Sequence, residues 1–142
     1  MAKQLTHDIS TPEGFFKAIP ENVEENIEYR CNLHDVLAKD KGMQKAFLEL
    51  CWSDIRIMFN TCFFVYDTQD EGGKRNKPFV LWPHQKTVVK DIHNSIINQT
   101  DLAIDKSRKE GATEIICKTF AGHFILDPES NFLVGSRKAE YV

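Results

Sequence analysis

Residues 106–113 read K-S-R-K-E-G-A-T and follow the apolar run L-A-I at 102–104. Three cations closed by a glycine and a threonine are chemistry for phosphate. In the standard phosphate-binding loop (Walker A), G-x-x-x-x-G-K-[ST], backbone N–H groups wrap the phosphates, the lysine meets the β- and γ-phosphates and the hydroxyl holds Mg2+. Over the same eight residues Gly111 and Thr113 keep their places, whereas Lys106 stands at the first glycine and Ala112 at the lysine. The cation need not come from that one position. A helix starting near Thr113 offers free N–H groups and the positive end of its dipole to an anion, and Lys106, Arg108 and Lys109 can bring charge from the front of the loop. The candidate cofactor-binding set is therefore Lys106, Ser107, Arg108, Lys109, Glu110, Gly111, Ala112 and Thr113. Thr113 either meets Mg2+ through its hydroxyl or caps the helix. The rival is a basic, solvated strand-to-helix turn, and spacing alone leaves both readings open.

No other constellation competes. The histidines at 7, 34, 84, 93 and 123 show no metal-ligand spacing. Cys31, Cys51, Cys62 and Cys117 are widely spaced without a C-x-x-C pair, so they read as reduced thiols and not as a zinc site or a disulfide framework. No G-x-S-x-G is present to suggest nucleophilic catalysis. The acidic pairs Glu24-Glu25 and Asp70-Glu71 lie in polar stretches and read as solvated charge.

The elements that would position the loop follow from periodicity. Thr11-Pro12-Glu13 starts a short helix that Pro20 closes. A second helix is expected over about 21–39, with Val23, Ile27, Leu33, Val36 and Leu37 as its apolar face and Gly42 ending it or separating it from the next. Residues 43–67 are densely apolar and aromatic and predict a buried helix or helix pair broken near Ser53. Residues 67–78, DTQDEGGKRNKP, form the one clear polar loop. PFVLWPHQ reads as an extended lead-in, followed by a helix with Val88, Val89, Ile92, Ile96 and Ile97 inward.

The last third alternates: a strand at 102–105, the basic loop, a helix at about 113–126, a turn at 127–129 and a strand at 131–135. That order predicts a P-loop NTPase-like βαβ unit with parallel strands. The expected fold is thus α/β with an incomplete parallel sheet over 79–142, preceded by a mainly helical region over 1–66.

With 142 residues, 42% of them hydrophobic, the chain is long enough to bury a core. Eighteen basic against 21 acidic residues make any DNA contact a local patch and not a whole-surface property. The first residues lack the apolar stretch of a signal peptide, and no run approaches a membrane span, so the cytoplasm is the expected location.

The deviant loop, with its basic residues in front, resembles that of the large terminase subunits of tailed bacteriophages, the ATPases that package DNA. NFLVGSRKAEYV looks like the strand and basic turn that follow the loop helix in those proteins, PFVLWPHQ looks like their lead-in, and SDIRIMFNTCFFVYDTQ is similar to their upstream "N-T-aromatic…Y-D" passage. The resemblance spans residues 53–142. It implies an ATP-binding motor module with ATP and Mg2+ as cofactors. By position, Lys106 or Arg108 is the phosphate cation, the group that would act in catalysis; Gly111 and Thr113 shape the loop and meet Mg2+, and Gln85 lies near the adenine. The bland alternative for Gln85 is an exposed first-turn helix residue, and for Arg137 and Lys138 a solvated turn. The implied partners are double-stranded DNA, a portal protein and a small terminase subunit. A non-enzymatic phosphate- or DNA-binding protein, or a piece of another P-loop motor such as a helicase, fits the same residues.

Such an ATPase also uses an Asp-Glu pair at the end of a later apolar strand, to hold Mg2+ and activate water. These 142 residues contain no such strand and no acidic nuclease cluster, so the sequence reads as an N-terminal fragment of the family. The purified chain is accordingly expected to turn over ATP no faster than background in a phosphate-release assay; clear turnover that disappears on Lys106→Ala or Arg108→Ala would contradict this.

Overall fold

The computed structural model describes residues 10–66, 76–106 and 111–135. Its elements in chain order are α1 (Pro12–Ala18), α2 (Val23–Leu37), α3 (Lys41–Ser53), α4 (Arg56–Thr61), β1 (Phe64–Tyr66), β2 (Asn76–Pro78), α5 (Pro83–Asn98) and α6 (Ala112–Leu126). The first three helices start on side-chain caps. The Thr11 hydroxyl accepts from the Gly14 N–H at 3.1 Å, Asn22 from Glu24 and Glu25, and Asp40 from Gly42 and Met43. Gly42 therefore does not end a helix; it lies in the first turn of α3, whose start is marked by the Asp40 carboxylate two residues earlier.

The inward face of α2 differs from the apolar face expected. Val23, Ile27 and Val36 are exposed, and Asn26 and Arg30 are buried in their place. The reason lies on α4. Arg30 donates from Nη2 to the Phe59 carbonyl at 3.0 Å, from Nη1 to the Phe63 carbonyl at 2.7 Å and from Nε to Asn26 Oδ1 at 2.6 Å. It thus satisfies the Phe59 carbonyl in the last turn of α4, where a cation also suits the helix dipole, and joins the Phe79 N–H on the Phe63 carbonyl just beyond the helix. Asn26 Nδ2 donates to the carbonyls of Pro20 and Asn60, and Asn60 Oδ1 accepts from the Leu81 N–H. One polar knot thus fixes the α1–α2 turn, α2, α4 and the lead-in to α5. Burial pulls the Arg30 guanidinium down to about 10, still charged at neutral pH.

Around the knot lies a core of Ile55, Ile57, Phe59, Leu81, Val89 and Ile115, with Phe16 and Ile19 from the α1 side. Arg56 clamps α1 to this core: it is bidentate on Asp54, reaches Glu13 Oε2 at 2.5 Å and lies over the Phe16 ring. The core joins residues from both sides of the polar loop. The expected break near Ser53 is present, where α3 ends and α4 begins three residues later.

The expected parallel sheet is absent among the described residues. The sheet has two short strands, β1 and β2, paired antiparallel with Phe64 opposite Pro78 and Tyr66 opposite Asn76. Residues 102–105 and 131–135, both expected as strands, have no strand structure. A strand exists only through its partner, and here neither segment pairs with the other; Leu102, Leu133 and Val134 face solvent. The α6 helix packs instead on α5 and α3. The P-loop NTPase-like βαβ reading is therefore replaced by a mainly helical fold with one antiparallel ribbon. No described helix is long and apolar enough to cross a membrane.

Since Arg30 is buried and serves three acceptors, Asn26 Oδ1 and the Phe59 and Phe63 carbonyls, Arg30→Ala should lower unfolding free energy by about 3 kcal/mol in urea titration. Arg30→Lys, a single-point donor, should recover only part of it. A loss within ~0.5 kcal/mol for Arg30→Ala would show that the knot is dispensable.

Candidate functional site

The helix α6 begins at Gly111, whose φ of +72° lies in the left-handed region. A Cβ there would meet Gln85 Nε2 at 3.5 Å, ordinary contact, so backbone conformation and not space calls for glycine. Gly111 is the helix N-cap and makes no side-chain cap bond. Thr113, expected either as cap or as Mg2+ ligand, is not the cap; it stands one residue inside the helix with its side chain exposed. Glu114 in the same turn is paired with Lys118 at 2.8 Å.

Ala112 is buried. It occupies the position where the standard loop has its lysine, and a lysine there would have to thread its stem out of a packed contact. Any phosphate cation has to come from elsewhere. Lys106 is exposed at the end of the segment leading into the loop. Ser107, Arg108, Lys109 and Glu110 lie outside the described residues, as do Arg137 and Lys138.

Gln85 is the residue that the structure brings to this place. It belongs to the first turn of α5, yet it is buried and not exposed as the bland reading had it. Its Oε1 accepts from the Trp82 N–H at 3.0 Å, capping the N-terminus of α5, while its Nε2 sits against Gly111 at the N-terminus of α6. One carboxamide therefore spans two helix N-termini whose first residues, Pro83 and Ala112, are 29 positions apart in sequence. Pro83 is the first residue of α5, a position where its missing N–H costs nothing. Both helices present the positive ends of their dipoles in the same region.

What holds the two helices in this relation is a pair that the spacing of histidines did not reveal. His93 Nδ1 and His123 Nε2 are hydrogen-bonded at 3.0 Å across α5 and α6, both rings buried, with Trp52 edge-on to each. A signal was available: His93 sits four residues after Val89, and His123 eight after Ile115, on the inner stripes of their helices. His123 Nδ1 finds no hydrogen-bond partner among the described residues. Burial and then the neighbouring His93 push the His123 imidazole down to about 4, against a weak opposing pull from Asp127; burial lowers His93 likewise, against Asp54. Among the described residues no group of three or more metal-ligating side chains occurs.

Comparison of the chain with protein-family models, with curated proteins and with solved structures finds no match in any of the three.

The histidine pair sets a pH dependence. A free histidine titrates near 6.5, and in the folded chain both pKa values lie lower. As pH falls below about 6.5 the unfolded chain takes up protons that the folded chain refuses, so stability is lost between about 6.5 and about 4. Urea unfolding at pH 7 and pH 5 should show a loss on the order of 2 kcal/mol. This window lies above that of the carboxylates at Glu13 and Asp127, whose pKa values are lowered. The loss should shrink in His123→Gln; equal pH dependence in both proteins would contradict the assignment.

Proposed function

We propose that this chain is a nucleotide-binding module of a DNA-packaging motor of the phage large-terminase kind, taking ATP at the paired N-termini of α5 and α6. The observation that carries the reading is the Gln85 carboxamide set against Gly111. The two segments that resemble the family's base-side and phosphate-side motifs meet in space, although the parallel sheet expected to bring them together is absent among the described residues. Phosphate recognition by helix N-termini depends on N–H groups and dipoles, which any fold can supply.

In this reading the N–H groups of the first turn of α6 meet the phosphates, with Lys106 or Arg108 supplying the cation that the buried Ala112 cannot. Thr113 would be the hydroxyl ligand of Mg2+. One protein ligand suffices for that ion, which keeps most of its waters and is otherwise held by the phosphates. The ion would neutralise charge on the phosphates; Lys106, Gly111 and Gln85 would orient the nucleotide. Double-stranded DNA, a portal protein and a small terminase subunit are the partners that a motor of this kind engages.

Thermal melting with and without ATP·Mg2+ tests the reading. A ligand that binds the folded state at a hundredfold its dissociation constant stabilises by about 2.7 kcal/mol, a rise of several degrees in Tm. Gly111→Val, which forces a β-branched residue into the left-handed region, should abolish the rise, and Lys106→Ala or Arg108→Ala should reduce it. No rise with ATP·Mg2+, together with duplex DNA binding that weakens steeply with salt, would favour a protein whose basic turn contacts the nucleic-acid backbone instead.

A further inference from the structure

We infer that the seam between α5 and α6 is an acid-operated latch: protons taken up by the His93–His123 pair part α6 from α5 while the rest of the fold stays closed. The two rings, 7% and 0% exposed, share the hydrogen bond between His93 Nδ1 and His123 Nε2, in which one nitrogen must donate and the other accept. One added proton can still be shared. A second would set two imidazolium nitrogens 3.0 Å apart in a buried seam, which repulsion and lost hydration forbid. The pair therefore reaches its doubly charged form only by separating, and its two titrations belong to the pair and not to either ring.

The surroundings offer the added charge little compensation. From α3, Trp52 lies edge-on to both rings, and the Asp54 carboxylate at the end of that helix is already bidentate on Arg56. After α6, Phe132 stands edge-on to His123, and the Asp127 oxygens accept from the Glu129 N–H and the Ser130 hydroxyl. On α6 itself, Glu114 and Lys118 pair with each other. Neither Asp54 nor Asp127 reaches His123 Nδ1, which is buried without a partner among the described residues. Burial and then His93 hold the His123 imidazole down at about 4, and burial lowers His93; Asp127 and Asp54 pull the other way.

That α6 is the part to leave follows from where the other constraints sit. The polar knot of Asn26, Arg30 and Asn60 and the Arg56 clamp tie α1, α2, α4 and the lead-in to α5 without a residue of α6. The α6 helix packs chiefly on α5 and α3, and Phe132 rides on it through its stack with Phe120.

Amide hydrogen exchange of the full chain between pH 7 and pH 5, corrected for the intrinsic exchange rate, tests the latch. Freed rings titrate near 6.5, so with two protons bound on opening the opening constant of α6 should rise by up to about a hundredfold per pH unit below that value. The amides of Thr119, Gly122 and His123 should lose protection on that slope, while those of Arg30, Phe59 and Thr61 keep theirs. In Trp82→Phe, where Trp52 is the sole tryptophan, emission should shift to the red over the same interval as the indole gains water. His123→Gln, with one titratable ring left, should show a slope of at most about tenfold per pH unit; should that variant not fold, His93→Gln serves the same comparison. Equal loss of protection in α2, α4 and α6 would mean global acid unfolding and overturn the latch, as would α6 protection that holds from pH 7 to pH 5. A wild-type slope in either glutamine variant would place the response on other groups, and the inference fails.

Discussion

A buried guanidinium with no carboxylate beside it among the described residues has to find carbonyls, and Arg30 finds that of Phe59 in the last turn of α4 and that of Phe63 just beyond it. Around that contact the rest of the architecture is arranged. Asn26 sits one helical turn before Arg30, orients it and ties the α1–α2 turn to Asn60. Asn60 in turn holds the Leu81 N–H. Because each of these groups is buried, losing any one partner leaves others unsatisfied, and that asymmetry makes a polar knot more decisive than its net bond energies suggest. The Asn60 Nδ2 atom finds no partner among the described residues, the one loose end of the knot.

From Leu81 the constraint passes to the candidate site. The lead-in is pinned at Leu81, stiffened at Pro83, and delivers Trp82 outward and Gln85 inward within one turn. Gln85 reaches Gly111, and the His93–His123 bond farther along keeps α5 and α6 side by side. Hydrogen bonding between two imidazoles requires one to donate and the other to accept, so the pair works only while at least one ring is neutral. The same seam carries an apolar close approach: a Cβ on Gly122 would stand 2.8 Å from Ile55 Cδ1, so the helix lies almost against the α3–α4 junction.

Much of the helix pattern was legible in the sequence, because caps are local chemistry. Thr11-Pro12, the break near Ser53 and the helices after Pro83 and Gly111 follow from residues within one turn of the boundary. The face of α2 was not legible, because Asn26 and Arg30 are buried for partners that lie 29 to 34 residues away. The two expected strands failed for a related reason. Leu102–Ile104 and Phe132–Val134 have the composition of buried strands, but pairing is a property of two segments and neither has its partner; Phe132 instead stacks on Phe120 of α6 at 4.5 Å. Around α5 and α6, the helix start at Gly111 was readable from its place in the loop, whereas the burial of Gln85 and the histidine pair emerge only once the two helices are side by side.

The central claim is that the N-termini of α5 and α6 form one anion-binding place. Backbone amide shifts in 15N-labelled protein, followed while ATP·Mg2+ is added, test it most directly. The account predicts that the amides of Gly111, Ala112, Thr113 and Glu114 move together with those of Trp82, His84, Gln85 and Lys86, along one binding curve, while the far ends of both helices stay still. Movement confined to one of the two segments, or spread over exposed lysines such as Lys41 and Lys45, would contradict it.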